Sequence, residues 1–499
     1  MTTEALVPQT GQVPGDPAGP VGRGRRRAVL GTLAAVLPFV VVGAARATYF
    51  AEGDTFWATR TGAEILRQRT ILLPDTFSWT VAGQLWHPNS WSYDVLLHLA
   101  DQRWGRAGLG LVALLSVTAT GVGVAVAGRL LGARPGPQIV VGFLAMPVLV
   151  AWLSTRPQTV SYALLPLTVG LAAVVVQRSG RRLLIGLAGL LLLSAAWVNL
   201  HLAALSAVVV TAAGLGVLLA ARPRQWRTIV PRGAAVVAAT LLGCSCSPLG
   251  WSVVGSALAT RDASTTLITE WAPLWRATPA CQATWLAALV GLGLTLASWR
   301  RRPQDVMLPV WSGATAALLV LGISAARFSA MALVLSLPAV ALWVSDTDWT
   351  TARWRQSARW LAPRVVAAVA VGFSVIAVVR LPHVGEPNAG SATRAVVDAV
   401  PAGCRVLNEY DEGGWITYLR ADDGVLVAQD GRNDVYGVAV LAEVQELIDG
   451  RPGALAELAR RDVWCILLDP DRPVVEQARS AGWVEVAADR YRVLLVAPR

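Results

Sequence analysis

Apolar and polar positions divide the chain into two parts of different grain. Up to residue 380, apolar runs recur between short polar segments: 28–45, 109–127, 139–153, 160–176, 183–198, 202–220, 234–246, 284–298, 307–323, 328–344 and 365–379. Each approaches the roughly 20 residues a helix needs to cross about 30 Å of hydrocarbon, and soluble proteins do not carry many such runs in series. The pattern predicts a membrane-embedded all-α bundle of about eleven transmembrane helices over residues 28–380. Two of the intervals are long, 46–106 and 247–280. Within the first, Val95, Leu96, Leu99 and Trp104 fall at helical spacing over 91–104, the pattern of a helix lying along a membrane surface.

After residue 380 the grain changes. Residues 381–390 form a Pro/Gly-bearing linker. From 391 to 499 helices are expected at 392–400, 415–420, 438–448, 454–460 and 473–480, the last with Pro473 in its first turn. Strands are expected at 405–408, 425–429, 463–469, 484–487 and 492–496. This alternation predicts a small α/β domain with a parallel-type sheet. At the other end, residues 1–27 lack periodicity and are rich in Pro, Gly and Thr, which predicts a disordered cytoplasmic tail. Arg23, Arg25, Arg26 and Arg27 precede the first run, and Ala45-Arg46-Ala47 imitates a signal-peptide cleavage site. The run is long for a signal peptide and more spans follow, so the first helix is expected to be retained, with its N-terminus inside.

Composition agrees with a membrane chain: 54% of residues are hydrophobic and 15% charged, where soluble domains sit near about 25% charged. The net charge of +11 does not indicate nucleic acid, because of where it lies. Every basic residue is Arg, and the arginines cluster at alternate loops: Arg129 and Arg134; Arg178, Arg181 and Arg182; Arg222, Arg224 and Arg227; Arg300, Arg301 and Arg302; Arg353, Arg355, Arg359 and Arg364. The intervening short turns hold almost none, Arg156 and Arg327 being the exceptions. This bias puts the arginine-rich loops in the cytoplasm, and an odd count puts the α/β domain outside a bacterial inner membrane. The five cysteines, Cys244, Cys246, Cys281, Cys404 and Cys465, show no metal-binding spacing with histidine. All lie at or beyond the outer face, where disulfides are permitted. Cys246 with Cys281, or Cys404 with Cys465, is expected to come close enough to bridge.

Candidate chemistry gathers outside. Asp54, just past the first span, sits at the membrane mouth, where a carboxylate can act as general base toward a hydroxyl. In the α/β domain Asp430, Arg432 and Asp434 are expected at the carboxyl end of a strand, the ligand edge of an open α/β sheet. The same cluster also reads as an internal salt-bridged loop that seats the domain on the membrane part. No phosphate loop accompanies it. His87 and His98 have no partner pattern.

Several motifs together resemble a known bacterial pattern. They are Asp54-Thr55-Phe56-Trp57, Arg60-Thr61-Gly62, Pro74-Asp75-Thr76-Phe77-Ser78-Trp79, Arg156-Pro157-Gln158, Trp197-Val198-Asn199-Leu200-His201, Ser247-Pro248-Leu249-Gly250-Trp251 and Glu270-Trp271. Asn408-Glu409-Tyr410-Asp411-Glu412-Gly413-Gly414-Trp415 and Asp430-Gly431-Arg432-Asn433-Asp434-Val435-Tyr436-Gly437 complete it. In this order they resemble a bacterial family of polytopic membrane proteins related to the GT-C glycosyltransferases, over nearly all the chain after residue 28.

That resemblance implies transfer of a sugar from a polyprenyl-phosphate donor to an extracytoplasmic glycan, lipid or protein acceptor. Asp54 is then the base. The leaving phosphate needs positive charge and donors near the outer interface. Arg156, Asn199, His201 and Arg327, at predicted outer helix ends, are the residues available, and Glu270 is a further candidate. No cofactor is fixed, and a divalent metal is left open. The chain departs from the family where Ala58 replaces a usual His, Ser90 a usual acid and Leu202 a usual Gly. Two other functions stay open at this point. One is a non-catalytic relative acting in envelope assembly, which the departures favour and Asp54 opposes. The other is a lipid-linked sugar transporter, for which the expected internal repeat and midplane acids are missing.

Overall fold

The computed structural model describes residues 29–48, 50, 53–264, 270–347, 353–387 and 390–498. The expected disordered tail, 1–27, lies outside them. The chain enters through a bent pair, α1 (Val29–Ala35) and α2 (Leu37–Ala47), turned by 40°. The interval read as a long outer loop then contains structure of its own: α3 (Asp54–Gln68), a small hairpin of β1 (Leu73–Pro74) and β2 (Leu85–Trp86), and α4 (Trp91–Trp104). The bundle continues with α5 (Arg106–Leu131), α6 (Pro135–Leu149), α7 (Gln158–Val175), α8 (Gly180–Leu200), α9 (Leu205–Ala221) and α10 (Trp226–Cys244). After α11 (Val253–Ser264), in the second long interval, come α12 (Pro279–Arg301), α13 (Met307–Ser324), α14 (Phe328–Asp346) and α15 (Arg353–Val379).

Among the described residues nine helices are long and apolar enough to cross a membrane, or ten with the bent pair counted as one span. The remaining expected span, 139–153, the third along the chain, corresponds to α6, which has only 15 residues. The chain is a multi-pass membrane protein. Local chemistry sets the helix ends. Gly132, in the left-handed region at φ 87°, closes α5, and Pro135 opens α6 in its first turn. Thr278 caps α12 by accepting the Cys281 N–H, with Pro279 at the first helical position. In α14, 78% of the apolar window is buried, against none of the window in α15. The first is therefore a central helix and the second a peripheral one that presents its apolar side chains outward.

The C-terminal domain comprises α16 (Arg394–Asp398), β3 (Arg405–Asn408), α17 (Gly413–Leu419), β4 (Leu426–Val427), α18 (Asn433–Ile448), α19 (Ala454–Arg460), β5 (Cys465–Leu468), α20 (Pro473–Ser480), β6 (Val484–Ala488) and β7 (Val493–Val496). The sheet order is β4-β3-β5-β7-β6. β3 runs parallel to β4 and β5, as expected, but β7 is antiparallel to both β5 and β6. The reason is length: the short link from β6 to β7 allows a hairpin but not a crossover. Cys404 and Cys465, beside paired β3 and β5, form a disulfide with Cα atoms 6.3 Å apart. Cys246 and Cys281 remain free thiols.

The free edge of β4 is covered by the segment between α3 and α4. Trp79 donates its backbone N–H to Val427, Val427 donates to Phe77, and the Trp79 indole reaches the Val406 carbonyl at 3.0 Å. A chain segment from between the first two spans thus closes the exposed edge of a sheet formed after the last one.

Candidate active site

Asp54 is the first residue of α3, where a carboxylate is favoured by the positive end of the helix dipole. α3 is wedged between α4 and the C-terminal domain. Its Phe56 is fully buried, with ring centroids 4.6 Å from Trp415 and 5.4 Å from Tyr418. Along this seam backbone meets backbone at Gly414, and backbone meets the Asp54 and Trp57 side chains at Gly431. A Cβ on Gly414 would lie 2.3 Å from the Gly53 carbonyl oxygen, and one on Gly431 would lie 2.1 Å from Asp54 Oδ1. Glycine is required at both positions because the two chains approach too closely for any side chain.

The loop bearing Gly431 is fixed by a buried ion-pair network. Arg432 donates from Nε and Nη2 to the two oxygens of Asp430 at 2.8 and 2.7 Å and from Nη1 to Asp75 at 2.7 Å. None of the three side chains is exposed. The guanidinium also lies over the Phe77 ring, 4.4 Å from its centroid. Asp430 and Arg432 therefore form the internal salt-bridged loop, with both charges consumed in a buried network that also takes in Asp75 rather than offered at a sheet edge. Asp434, by contrast, lines the cavity below, with Oδ2 accepting from Asn89 at 2.9 Å.

That cavity, of about 540 Å³, lies between the bundle and the C-terminal domain. It brings together Asp54, Arg156, His201, Glu270, Arg327 and Asp434 from sequence positions up to 380 residues apart. Arg156 bridges two carboxylates. Its Nε and Nη2 meet Asp54 Oδ2 at 2.6 and 2.5 Å, and its Nη1 meets the Glu270 oxygens at 3.2 and 3.3 Å. The second oxygen of Asp54 accepts from the Trp57 indole at 3.1 Å. Arg327 donates its backbone N–H to the Glu270 carbonyl, bonds Gln158 Oε1 at 3.2 Å and stacks over Trp271, 4.2 Å from the ring centroid. Burial pushes the Glu270 carboxyl up, but the Arg156 and Arg327 charges outweigh it and hold the group below its ordinary range. His201 Nδ1 is 2.7 Å from the Ser161 hydroxyl, which accepts from Trp197. Burial, reinforced by Arg327 and Arg156, holds the ring well below its ordinary pKa, so it is neutral.

Asn199 is not brought into the cavity. Its amide donates to the Ala195 and Cys246 carbonyls and accepts from the Trp91 indole, so it ties α8 to α4. A helix-end position does not say which way an amide points, and here it points into the helix packing. Ser90 lines the cavity and donates to Asp94, which lies wholly buried beneath it. Burial pushes the Asp94 carboxyl well up, partly offset by Ser90. His87 and His98 do not line the cavity.

The acids at the charged end, Asp54 and Glu270, are both engaged by arginine. Among the described residues no group of three or more His, Cys, Asp and Glu side chains is placed to hold a metal ion. At this end the acids are ion-paired with Arg156 rather than gathered with other metal-ligating side chains.

Gln158, Ser161, Tyr162 and Trp271 also line the cavity and were not singled out from sequence. The signals existed: Gln158 and Trp271 stand inside the Arg156-Pro157-Gln158 and Glu270-Trp271 motifs. Ser161 and Tyr162 follow Gln158 at the i+3 and i+4 positions that share a helix face. Much of the remaining lining is apolar, with Leu202, Val209, Leu241, Leu258, Phe328 and Met331.

No family model matches this chain, and no curated protein matches its sequence. Solved structures do. ArnT from Cupriavidus metallidurans bound to undecaprenyl phosphate is similar over 95% of this chain and 99% of its own, at TM-score 0.57 and 12% identity. The apo form of the same protein is similar over 96% of this chain and 100% of its own, at TM-score 0.57 and 13% identity. The oligosaccharyltransferase of Archaeoglobus fulgidus is similar over 89% of this chain and 69% of its own, at TM-score 0.58 and 10% identity. From its first helices to its C-terminal sheet domain, this chain has the GT-C fold shared by these membrane glycosyltransferases.

Proposed function

We propose that the chain is an integral membrane glycosyltransferase that moves a sugar from a polyprenyl-phosphate donor to an acceptor on the outer side of a bacterial cytoplasmic membrane. One observation carries this reading: a single cavity is lined both by two arginines with their carboxylates and by many apolar side chains. An amphiphile with a phosphate head and a hydrocarbon tail matches both. The undecaprenyl phosphate bound by ArnT supports that donor class.

In the proposed reaction the acceptor hydroxyl oxygen attacks the anomeric carbon, and its proton passes to the Asp54 carboxylate. The bond between the anomeric carbon and the phosphate oxygen breaks, and the lipid phosphate leaves with the electron pair. Arg327, held by Gln158 and Trp271, faces the charge that develops on the leaving oxygen. Neutral His201 adds polar contact without adding charge.

The test is transfer by purified protein in proteoliposomes supplied with a panel of polyprenyl-phosphate sugars. Release of polyprenyl phosphate that depends on added acceptor is expected. Folded protein that releases none from any donor would remove the reading. Orientation is proposed on the arginine bias alone, N-terminus inside and C-terminal domain outside. A periplasm-dependent reporter fused after Arg499 should be active, and a cytoplasm-dependent one silent; the reverse pattern would invert the topology.

A further inference from the structure

We infer that Asp54 and the donor phosphate are competing ligands of Arg156, so that donor binding itself uncovers the base. This rests on the donor class proposed above and goes beyond it. The geometry is asymmetric. Arg156 gives one edge, Nε and Nη2, to Asp54 Oδ2 at 2.6 and 2.5 Å, and its remaining nitrogen to Glu270. Asp54 has its other oxygen on Trp57 at 3.1 Å, with the Gly431 backbone packed against it. These three bonds take most of the roughly four acceptor positions of a carboxylate, both of those on Oδ2 among them, so Oδ2 cannot take a proton from an acceptor hydroxyl while Arg156 holds it.

Arg327 is differently placed. It bonds an uncharged amide and stacks on an indole, and among the described residues no carboxylate lies within ion-pair distance of it. An entering phosphate therefore meets an open positive charge at Arg327 beside a shared one at Arg156. The Nε/Nη2 edge of a guanidinium suits two phosphate oxygens as well as it suits a carboxylate. When phosphate takes that edge, Asp54 Oδ2 is returned to the acceptor side. Glu270 keeps its hold on Nη1, so Arg156 stays in place through the exchange. The order of events follows: the base becomes competent only once the leaving group is seated.

The measurement is equilibrium binding of a labelled polyprenyl phosphate to the full chain in nanodiscs. Wild type, Asp54→Asn, Arg156→Gln and the double variant complete a cycle. Competition predicts that Asp54→Asn tightens binding roughly fivefold or more, and that the same substitution in the Arg156→Gln background changes it less than about twofold. Trp57→Phe removes the other bond of Asp54 and leaves Arg156 intact, so it should bind as wild type does. It also decides the matter if Arg156→Gln does not fold. Unchanged or weaker binding by Asp54→Asn would overturn the exchange and leave the donor class standing. A gain that persists without Arg156, or that Trp57→Phe reproduces, would also overturn it. Failure of wild type to bind polyprenyl phosphate at all would overturn the donor class and this inference together.

Discussion

Replacing Asp54 by Asn is expected to lower sugar transfer by roughly 10²–10⁴-fold, the range for loss of a positioned general base, in a chain that still folds and inserts. Asn keeps the volume of the side chain and can still accept the Trp57 N–H with its amide oxygen. It cannot take the acceptor proton. Arg156 keeps Glu270 as partner, and the Asp54–Arg156 pair is about one-fifth exposed on each side, so little stability is lost with it. Asp54→Glu should fail to rescue. Gly431 lies against the Oδ1 side, so an added methylene pushes the carboxylate off its Trp57 and Arg156 partners and into the cavity. Initial rates at saturating donor decide the matter: a variant retaining half the wild-type rate would remove Asp54 from the chemistry.

Replacing Arg432 by Ala is expected to destabilise the protein by about 3–5 kcal/mol, the cost of stripping one partner from a buried ion pair. Here two partners are stranded, because Asp75 and Asp430 both lose their counter-charge in a region with no solvent access. Arg432→Lys should restore little, since a point charge cannot reproduce a fork that reaches one acid bidentately and a second acid from its far nitrogen. Arg460→Ala, at an exposed ion pair of the same domain, is the control and should lie within about 0.5 kcal/mol of wild type. The expected readout is a lowered unfolding temperature for both Arg432 variants. An unfolding temperature equal to that of wild type would show that the network contributes no net stability.

The apolar runs located the bundle helices because a span must be apolar along most of its length, whichever way it faces. They said nothing of α3. Its buried face includes Thr55, Ala58, Thr59, Gly62 and Glu64, small or polar residues that close packing hides and a hydrophobic pattern cannot reveal. Arg156, His201 and Arg327 could be proposed together because each falls at a helix end on one side of the membrane and each sits in or beside a motif. Their bonding could not. That Arg156 belongs to Asp54 and Glu270, while Arg327 belongs to Gln158 and Trp271, depends on side-chain direction. The pairing of Arg432 with Asp75 spans 357 positions. Nothing in a single sequence links those two residues except that both stand in acidic or aromatic motifs. Asn199 shows the opposite failure, a residue near the C-terminal end of α8 whose amide is engaged in the helix packing.

The glycine seam has a consequence for the order in which the protein is made. A nascent chain stopped at residue 380 already contains Asp54, Arg156, Glu270 and Arg327, yet Gly431 and Asp434 have not been synthesised to close over them. With that side open, water reaches the ion pairs, and their attraction falls by the several-fold that separates a protein interior from bulk solvent. The aromatic wedge on α3 is missing as well, because Trp415 and Tyr418 arrive late. Translation thus delivers the charges at the ends of the spans first and their enclosure last, so an unfinished chain lacks the enclosed site that the finished one carries.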